Sequence, residues 1–328
     1  MPVNEHVMVF APTPRLTVTV DQPSEAPELH LHPGGQGVWQ ARMIISLGVD
    51  VVLCTALGGE VGQVLEPLLV SEGVDLKTVV RDSGGNGGYV HDRREGARRE
   101  VVDVPGEALG RHELDELYNL ALGEGLRAPV SVLSGPHQPH LVPAELYRRF
   151  TADLRANGGK VVVDLAGEHL AAVLDSGVFF LKVSHEELIA DGRAAGDDED
   201  QLARAMYDLH AGGAENVVVS RAAEPALALV DGEVFEVEMP RLQAADPRGA
   251  GDSMTAGVAA VVARGGDIRT AVRTGAAAGA LNVTRHGLGT GRLDSIRGLV
   301  ERVRLVPAGS RQQERTTPDE LADRAAER

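Results

Sequence analysis

The feature that most constrains this chain is a rhythm. Short apolar runs rich in β-branched residues recur: "HVMVF" (6–10), "DVVLCTA" (50–56), "PVSVLS" (129–134), "KVVVDL" (160–165), "GVFFLK" (177–182) and "NVVVS" (216–220). Segments of helical periodicity lie between them, at 38–47, 61–72, 112–122, 142–157 and 198–211. Runs that are apolar throughout suit strands buried on both faces, the condition of a parallel sheet covered by helices. The alternation therefore predicts an α/β, doubly wound, mostly parallel sheet with helices on both faces. Only 3% of the residues are aromatic, so the core must be built from Val, Leu, Ala and Ile. Sheets of this kind take their ligands outside the carboxyl ends of the strands.

Two segments, 15–35 and 87–106, break the rhythm. Both alternate apolar and polar residues, as half-exposed antiparallel strands do, the second around a turn at Glu95-Gly96. They are expected to project from the main sheet as a small β-sheet lid. Half-exposed lid strands call for a partner, so a homodimer through the lid is expected. Residues 1–306 then form one domain, and 307–328 a polar tail expected to be disordered or loosely helical. The net charge of −16 argues against nucleic acid or an anionic membrane as partner. It also means that an anionic substrate needs a locally positive pocket. The single cysteine, Cys54, excludes an internal disulfide. With no signal-like start and no apolar run of bilayer-spanning length, a cytoplasmic location is expected.

The chemistry concentrates in "DPRGAGDSMTAG" (246–257). A glycine-rich turn running into a helix leaves backbone N–H groups pointing outward, and the helix dipole adds to their attraction for an anion. Phosphate is the obvious anion. Asp252 would be misplaced as a phosphate binder, since like charges repel, but well placed as a base that takes a proton from an attacking hydroxyl. The plainer alternative is that Asp252 caps the helix.

This stretch closely resembles the C-terminal signature of the ribokinase-like (PfkB) sugar kinases. "GGQGVWQARMIISLGVDVVLCTALG" (34–58) resembles the N-terminal signature of the same family, and together the two cover a likeness from about residue 6 to 305. The middle, "LSGPHQPHLVPAELYRRFTADLRANGGKVVVDLAGEHLAAVLDSGVFFLKVSHEEL" (133–188), is similar to the phosphosugar branch, 1-phosphofructokinase and tagatose-6-phosphate kinase. The resemblance implies a ribokinase-like fold and an ATP-dependent kinase for a sugar or sugar phosphate, working with Mg2+. It implies Asp252 as the base and Gly249, Ala250 and Gly251 as the anion hole. It places Thr17, Gly35, Gln36 and Gly37 at the substrate, where the lid's Arg93 is expected to join them as a phosphate-binding cation. Lys182, Ser220, Arg248, His286 and Gly287 would surround the nucleotide, and Glu187 would hold water on the metal.

The chain also departs from that branch. Its Asn-Pro-x-x-Asp run is "TPRLT", with Thr13 and Thr17 at the ends. Gln36 and Trp39 stand where the glycine motif carries Lys and Asn; Trp39 either lines the pocket or packs in the core. Ser184 replaces the Asn of Lys-Pro-Asn-x-x-Glu, and Ala222 the Gly of Ser-x-Gly. Arg93, Arg94, Arg98 and Arg99 either supply the missing cation or form a solvated charge run. Arg248 either faces the transferring phosphoryl group or points away, and Glu187 serves the metal or is a solvated helix residue. Two functions stay open on these residues: an active sugar kinase, or a non-catalytic, regulatory ligand-binding relative with an altered pocket. A nucleoside kinase fits less well, and no Gly-x-Gly-x-x-Gly follows the first strand to support an oxidoreductase.

Overall fold

The structure is a computed structural model that describes residues 5–96, 98–222, 224–240, 242, 248–284 and 289–309. β1 (His6–Phe10) leads into a hairpin of β2 (Arg15–Asp21) and β3 (Glu28–Gly34). α1 (Gln36–Ser46), β4 (Asp50–Leu57), α2 (Gly59–Ser71) and β5 (Asp75–Val80) follow, then a second hairpin of β6 (Asn86–Asp92) and β7 (Arg99–Gly106). The alternating part continues through α3 (Arg111–Gly125), β8 (Val130–Ser134), α4 (Ala144–Ala156), β9 (Lys160–Asp164), α5 (Gly167–Leu174), β10 (Phe180–Ser184), α6 (His185–Ala190), α7 (Glu199–Ala211) and β11 (Val217–Arg221). β12 (Glu224–Val230), β13 (Glu233–Glu238), α8 (Ala250–Ala263), α9 (Ile268–Val283), α10 (Leu293–Val300) and β14 (Arg304–Pro307) complete the chain.

The main sheet runs β14-β13-β12-β11-β10-β9-β8-β1-β4-β5. From β5 to β11 every pair is parallel, and β12, β13 and β14 extend that edge antiparallel. β1 pairs with β4 on one side and β8 on the other, so the chain winds outward in both directions from β1. The winding leaves a crevice at the carboxyl ends of β1 and β8, the topological switch point where α/β sheets bind ligands.

All six apolar runs are strands, because continuous burial on both faces leaves no other use for them. β10 starts three residues later than its run, since Gly177 turns with φ 75° and Val178 makes only an isolated bridge to Ala214. The five expected helices lie within three residues of their expected bounds. One core layer packs Phe10 of β1 against Tyr147 and Phe150 of α4, with Tyr118 of α3 against Phe150. The other packs the opposite face of the sheet against α1, α2 and the Ala- and Val-rich α8 and α9.

α9 escapes the apolar rhythm because its buried face is Ala and Gly. That face lets two helix backbones touch. A Cβ on Gly257 would lie 2.6 Å from the Gly275 Cα, and one on Gly279 would lie 2.8 Å from the Ala250 carbonyl oxygen. The start of α8 is thus seated directly on α9.

The segments at 15–35 and 87–106 form the expected lid, a four-stranded sheet in the order β3-β2-β6-β7. Its two hairpins are antiparallel, but they join through the parallel pair β2–β6. The register puts Thr17, Tyr89 and Asp103 on one face. Val18, Leu31, Val90 and Val102 share the other. No described helix is long and apolar enough to cross a membrane. β14 ends on Pro307, the first residue of the expected tail, so the sheet runs one residue into it; positions 310–328 lie outside the described residues.

Candidate active site

A cleft of about 570 Å³ lies over the carboxyl ends of β1, β8 and β9 and under the lid. The glycine loop before α1 forms one wall. Gly35 has φ 105°, a conformation that a side chain strains. A Cβ on Gly37 would lie 2.5 Å from the Ala11 Cβ and 2.7 Å from the Ser134 Oγ, so its absence lets the first turn of α1 settle onto β1 and β8. Thr17, Gly35, Gln36, Gly37, Glu187 and Arg248 all line the cleft. Trp39 lines it too, half-buried, which removes the core alternative for this residue.

The lid arginines sort differently from expectation. Arg93 does not line the cleft; it belongs to the turn beyond β6, where its backbone N–H donates to the Val20 carbonyl. Arg94 and Arg99 pair with Asp92 at 2.7 and 3.4 Å. The guanidinium that reaches the cleft from the hairpin is that of Arg98, held 5.0 Å over the Tyr89 ring, because position 98 directly precedes β7 rather than the tip. Arg15 joins it, ion-paired to Asp103 and donating to the carbonyls of Gly88 and Val104 at 3.3 and 3.2 Å. His137 stands 3.6 Å from Asp103; burial and the nearby Arg15 hold its pKa below the ordinary histidine value.

Below the cleft lies the start of α8. Gly249 is its N-cap, left-handed at φ 72°, with no side-chain cap. Asp252 is therefore not the capping residue; it lies within the first turn. The first i to i−4 bond of the helix is that from Ser253 N–H to the Gly249 carbonyl, so the N–H groups before it have no partner within the helix. Asn282, buried on α9, closes the loop: its Nδ2 donates to the Arg248 carbonyl at 2.7 Å and its Oδ1 accepts from the Gly289 N–H at 2.9 Å.

A buried polar cluster backs this turn. The Lys182 ammonium packs on Gly251 so closely that a Cβ there would lie 2.5 Å from Nζ. Lys182 also pairs with Asp164, at the end of β9, at 3.2 Å. Gln40 donates from Nε2 to Asp164 at 3.2 Å and accepts from the Ser134 hydroxyl at 2.6 Å. The Thr255 hydroxyl lies 3.2 Å from Asp164 and 3.1 Å from the Gly251 carbonyl. Three carboxylates, Asp164, Glu187 and Asp252, thus share one ammonium. Burial alone would lower the Lys182 pKa, but Asp164, Glu187 and Asp252 outweigh it and keep the amine charged. Burial raises Asp164. Burial first, and Asp164 second, push Asp252 up to about 8, against the pull of Lys182 and a hydrogen bond from Gln36.

Glu187 is a capping-box residue: its Oε2 accepts from the Ser184 backbone N–H and hydroxyl at 2.7 and 2.8 Å. Ser184, in place of Asn, thus caps α6. Among the described residues no group of three or more His, Cys, Asp or Glu side chains could hold a metal ion. Ser220 lies beside Ser184 in the sheet, and its carbonyl oxygen is 3.2 Å from His185 Nδ1. Ala222 keeps a left-handed turn, φ 49°, where the family has glycine. His286 and Gly287 lie outside the described residues. Gln40 and Asn282 carried no sequence signal, since nothing sets them apart from the other polar residues of α1 and α9. Asp164 had a faint one, as the acid ending a buried strand.

The profile of the pfkB family carbohydrate kinases matches residues 5–295. The ATP-dependent 6-phosphofructokinase isozyme 2 of Escherichia coli (strain K12) is 30% identical over 258 residues, 78% of this chain and 82% of that protein. The 1-phosphofructokinase of Haloferax volcanii is 27% identical over 279 residues, 82% of this chain and 88% of its own. The crystal structure of phosphofructokinase-2 from Escherichia coli in complex with potassium superposes with a TM-score of 0.79 at 25% identity, covering 90% of this chain and 98% of that one. The large, mostly parallel sheet with its four-stranded lid is the ribokinase-like fold, and the chain belongs to the pfkB family of carbohydrate kinases.

Proposed function

We propose that this protein transfers the terminal phosphoryl group of ATP to a hydroxyl of a sugar or sugar phosphate. One observation carries the reading: Asp252 sits beside the N–H groups that open α8 and have no partner within the helix, with the Lys182 ammonium against the same turn. The substrate hydroxyl attacks the terminal phosphorus, its proton passes to Asp252, and the bond to ADP breaks. A base titrating near 8 is matched to chemistry near neutral pH. The N–H groups of Gly249, Ala250 and Gly251 and the ammonium of Lys182 meet the phosphoryl charge. Ser220, Arg248, His286 and Gly287 are assigned to the nucleotide. Thr17, Gly35, Gln36 and Gly37 are assigned to the sugar, with Arg98 taking the place first given to Arg93. Mg2+ would arrive on the ATP phosphates, since the described residues build no cage for it; Glu187 keeps one oxygen free of its cap to hold water on the ion. Bound there, the ion would neutralise phosphate charge.

The relatives named above act on phosphorylated fructose by name, but Gln36 and Trp39 make this a reshaped pocket. Its cognate sugar is to be found by an ATP-consumption screen over free and phosphorylated sugars. In the same assay Asp252→Asn should keep ATP binding and lose turnover by roughly 10² to 10⁴. An unchanged rate removes Asp252 as base. No turnover of any sugar by the parent protein, with ligand still bound, favours the regulatory binding protein that the changes at Thr17, Gln36, Trp39 and Ser184 would equally serve.

A further inference from the structure

The guanidinium of Arg15, on β2, is held in place by the neighbouring strands. Its Nη2 donates to the carbonyls of Gly88 on β6 and Val104 on β7, at 3.3 and 3.2 Å, and to the Asp103 carboxylate. β6 and β7 come close here because Gly87 lacks a side chain: a Cβ there would lie 2.3 Å from the Val104 carbonyl oxygen. A charge this deep needs a counterion. Arg15 shows 10% of its side chain to solvent and Asp103 31%, so the arginine is the buried partner and the carboxylate the one with access to the cleft.

Asp103 Oδ1 takes the bond from Arg15. Oδ2 faces His137, which follows β8 on the sheet side of the cleft, at 3.6 Å, longer than a hydrogen bond. A carboxylate only accepts, and it has lone pairs for about four hydrogen bonds. Its spare capacity therefore calls for donors. Burial and Arg15 hold His137 below the ordinary histidine pKa, so near neutral pH the imidazole adds no cation. A phosphate laid on Arg15 would have to displace Asp103 or lie against its charge; an O–H group would not. Thr17 and Asp103 lie in one row on the cleft face, with Tyr89 between them. Two strand spacings, roughly 10 Å, separate them, so they meet different parts of a bound molecule.

We propose that Asp103 determines substrate specificity: its carboxylate, held by Arg15, accepts hydrogen bonds from two neighbouring hydroxyls of the sugar. The proposal rests on the reading of the cleft as a sugar site, and it names what that sugar presents at the seam between lid and sheet. A phosphate on the substrate is then left to Arg98, over the Tyr89 ring. Arg15 is the positioning residue of the pair. Because the strands fix it before any sugar arrives, little ordering cost is left for binding.

The test starts from Asp103→Asn, which keeps the side chain's size and an acceptor for Arg15 but removes the charge. The double variant Arg15→Gln, Asp103→Asn removes both charges together, and serves where an uncompensated arginine costs the single variant its fold. The probes are D-fructose and D-tagatose, their 1- and 6-phosphates, and the best substrate of the ATP-consumption screen with its monodeoxy analogues. Equilibrium binding without ATP is read from the fluorescence of Trp39, the only Trp of the chain and part of the cleft lining. kcat and the KM for sugar and for ATP are measured alongside. Expected in both variants is sugar binding weaker by roughly ten- to a hundredfold, as the loss of hydrogen bonds to a charged group implies, with the KM for ATP unchanged. The penalty should shrink for the analogues that lack one of two adjacent hydroxyls and stay whole for the others. Tighter binding of a phosphorylated probe by Asp103→Asn would mean that Arg15 serves a phosphate, and overturns the proposal. So does an equal penalty for every analogue, the result that a merely structural ion pair would give. Should no sugar be turned over, the kinase reading fails, while the fluorescence titrations still decide the role of Asp103.

Discussion

Asp252 holds its place against stability. Its carboxyl ordinarily titrates at 3.8, and burial, reinforced by Asp164, pushes it up to about 8. Between about pH 4 and 8 the unfolded chain has released this proton and the folded chain has kept it. The folded state then binds more protons, so stability falls as pH rises through that window and levels off above it. Asp252→Asn removes the difference. Its Tm is expected to exceed the parent's by roughly 1.5–3 °C at pH 8, on the order of 1–2 kcal/mol, with the gain vanishing toward pH 4. Melts at pH 4.5, 6 and 8 check this; a lower Tm for the variant at pH 8 would mean that the carboxylate is structural.

At the scale of elements, α8 and α9 touch through glycine, and the same substitution should act in opposite directions at two sites. A Cβ on Gly275 of α9 would lie 2.6 Å from the Met254 carbonyl oxygen on α8. Gly275→Ala is therefore expected to push α8 off its seat, with about 1–3 kcal/mol lost and turnover reduced along with stability. Gly123 of α3 has nothing within 4 Å of the added carbon. Gly123→Ala is expected to add about 0.5–1 kcal/mol through helix propensity alone, with kinetics unchanged. Urea titrations of both variants give the comparison; equal signs would refute the close-packing account of α8 and α9.

At the scale of the whole molecule, the outer face of the lid is unusually apolar for a surface: Leu29 is 62% exposed and Val104 51%, with Leu31 and Val102 beside them. Such a face is suited to a second copy of itself. Sedimentation equilibrium is expected to show a homodimer for the parent chain. The Leu29→Glu, Val102→Glu variant should be a monomer with a raised KM, because each lid strand then loses its support over the cleft. A parent chain that sediments as a monomer at concentrations where it is active would end the idea.

What the sequence determined by itself was local. Six short runs dominated by apolar residues are satisfied as buried strands, and β1, β8, β9 and β11 stand where those runs stand. Alternation at 15–35 and 87–106 likewise sufficed for two hairpins, and Gly-Ala-Gly-Asp for an open helix start. Those patterns depend on neighbours in the chain, so one strand or one turn carries them whole. Tertiary structure alone decided which side chains share a charge. Asp164 and Lys182 are 18 residues apart and Gln40 is 124 from Asp164, yet they meet beneath one turn of α8. It also decided that Arg98, not Arg93, reaches the cleft, and that Trp39 lines it. Each depends on where a side chain points after the sheet has twisted and the helices have docked, and on the desolvation that follows. Periodicity along the chain contains neither quantity, because burial and pKa are set by atoms that arrive from elsewhere in the fold.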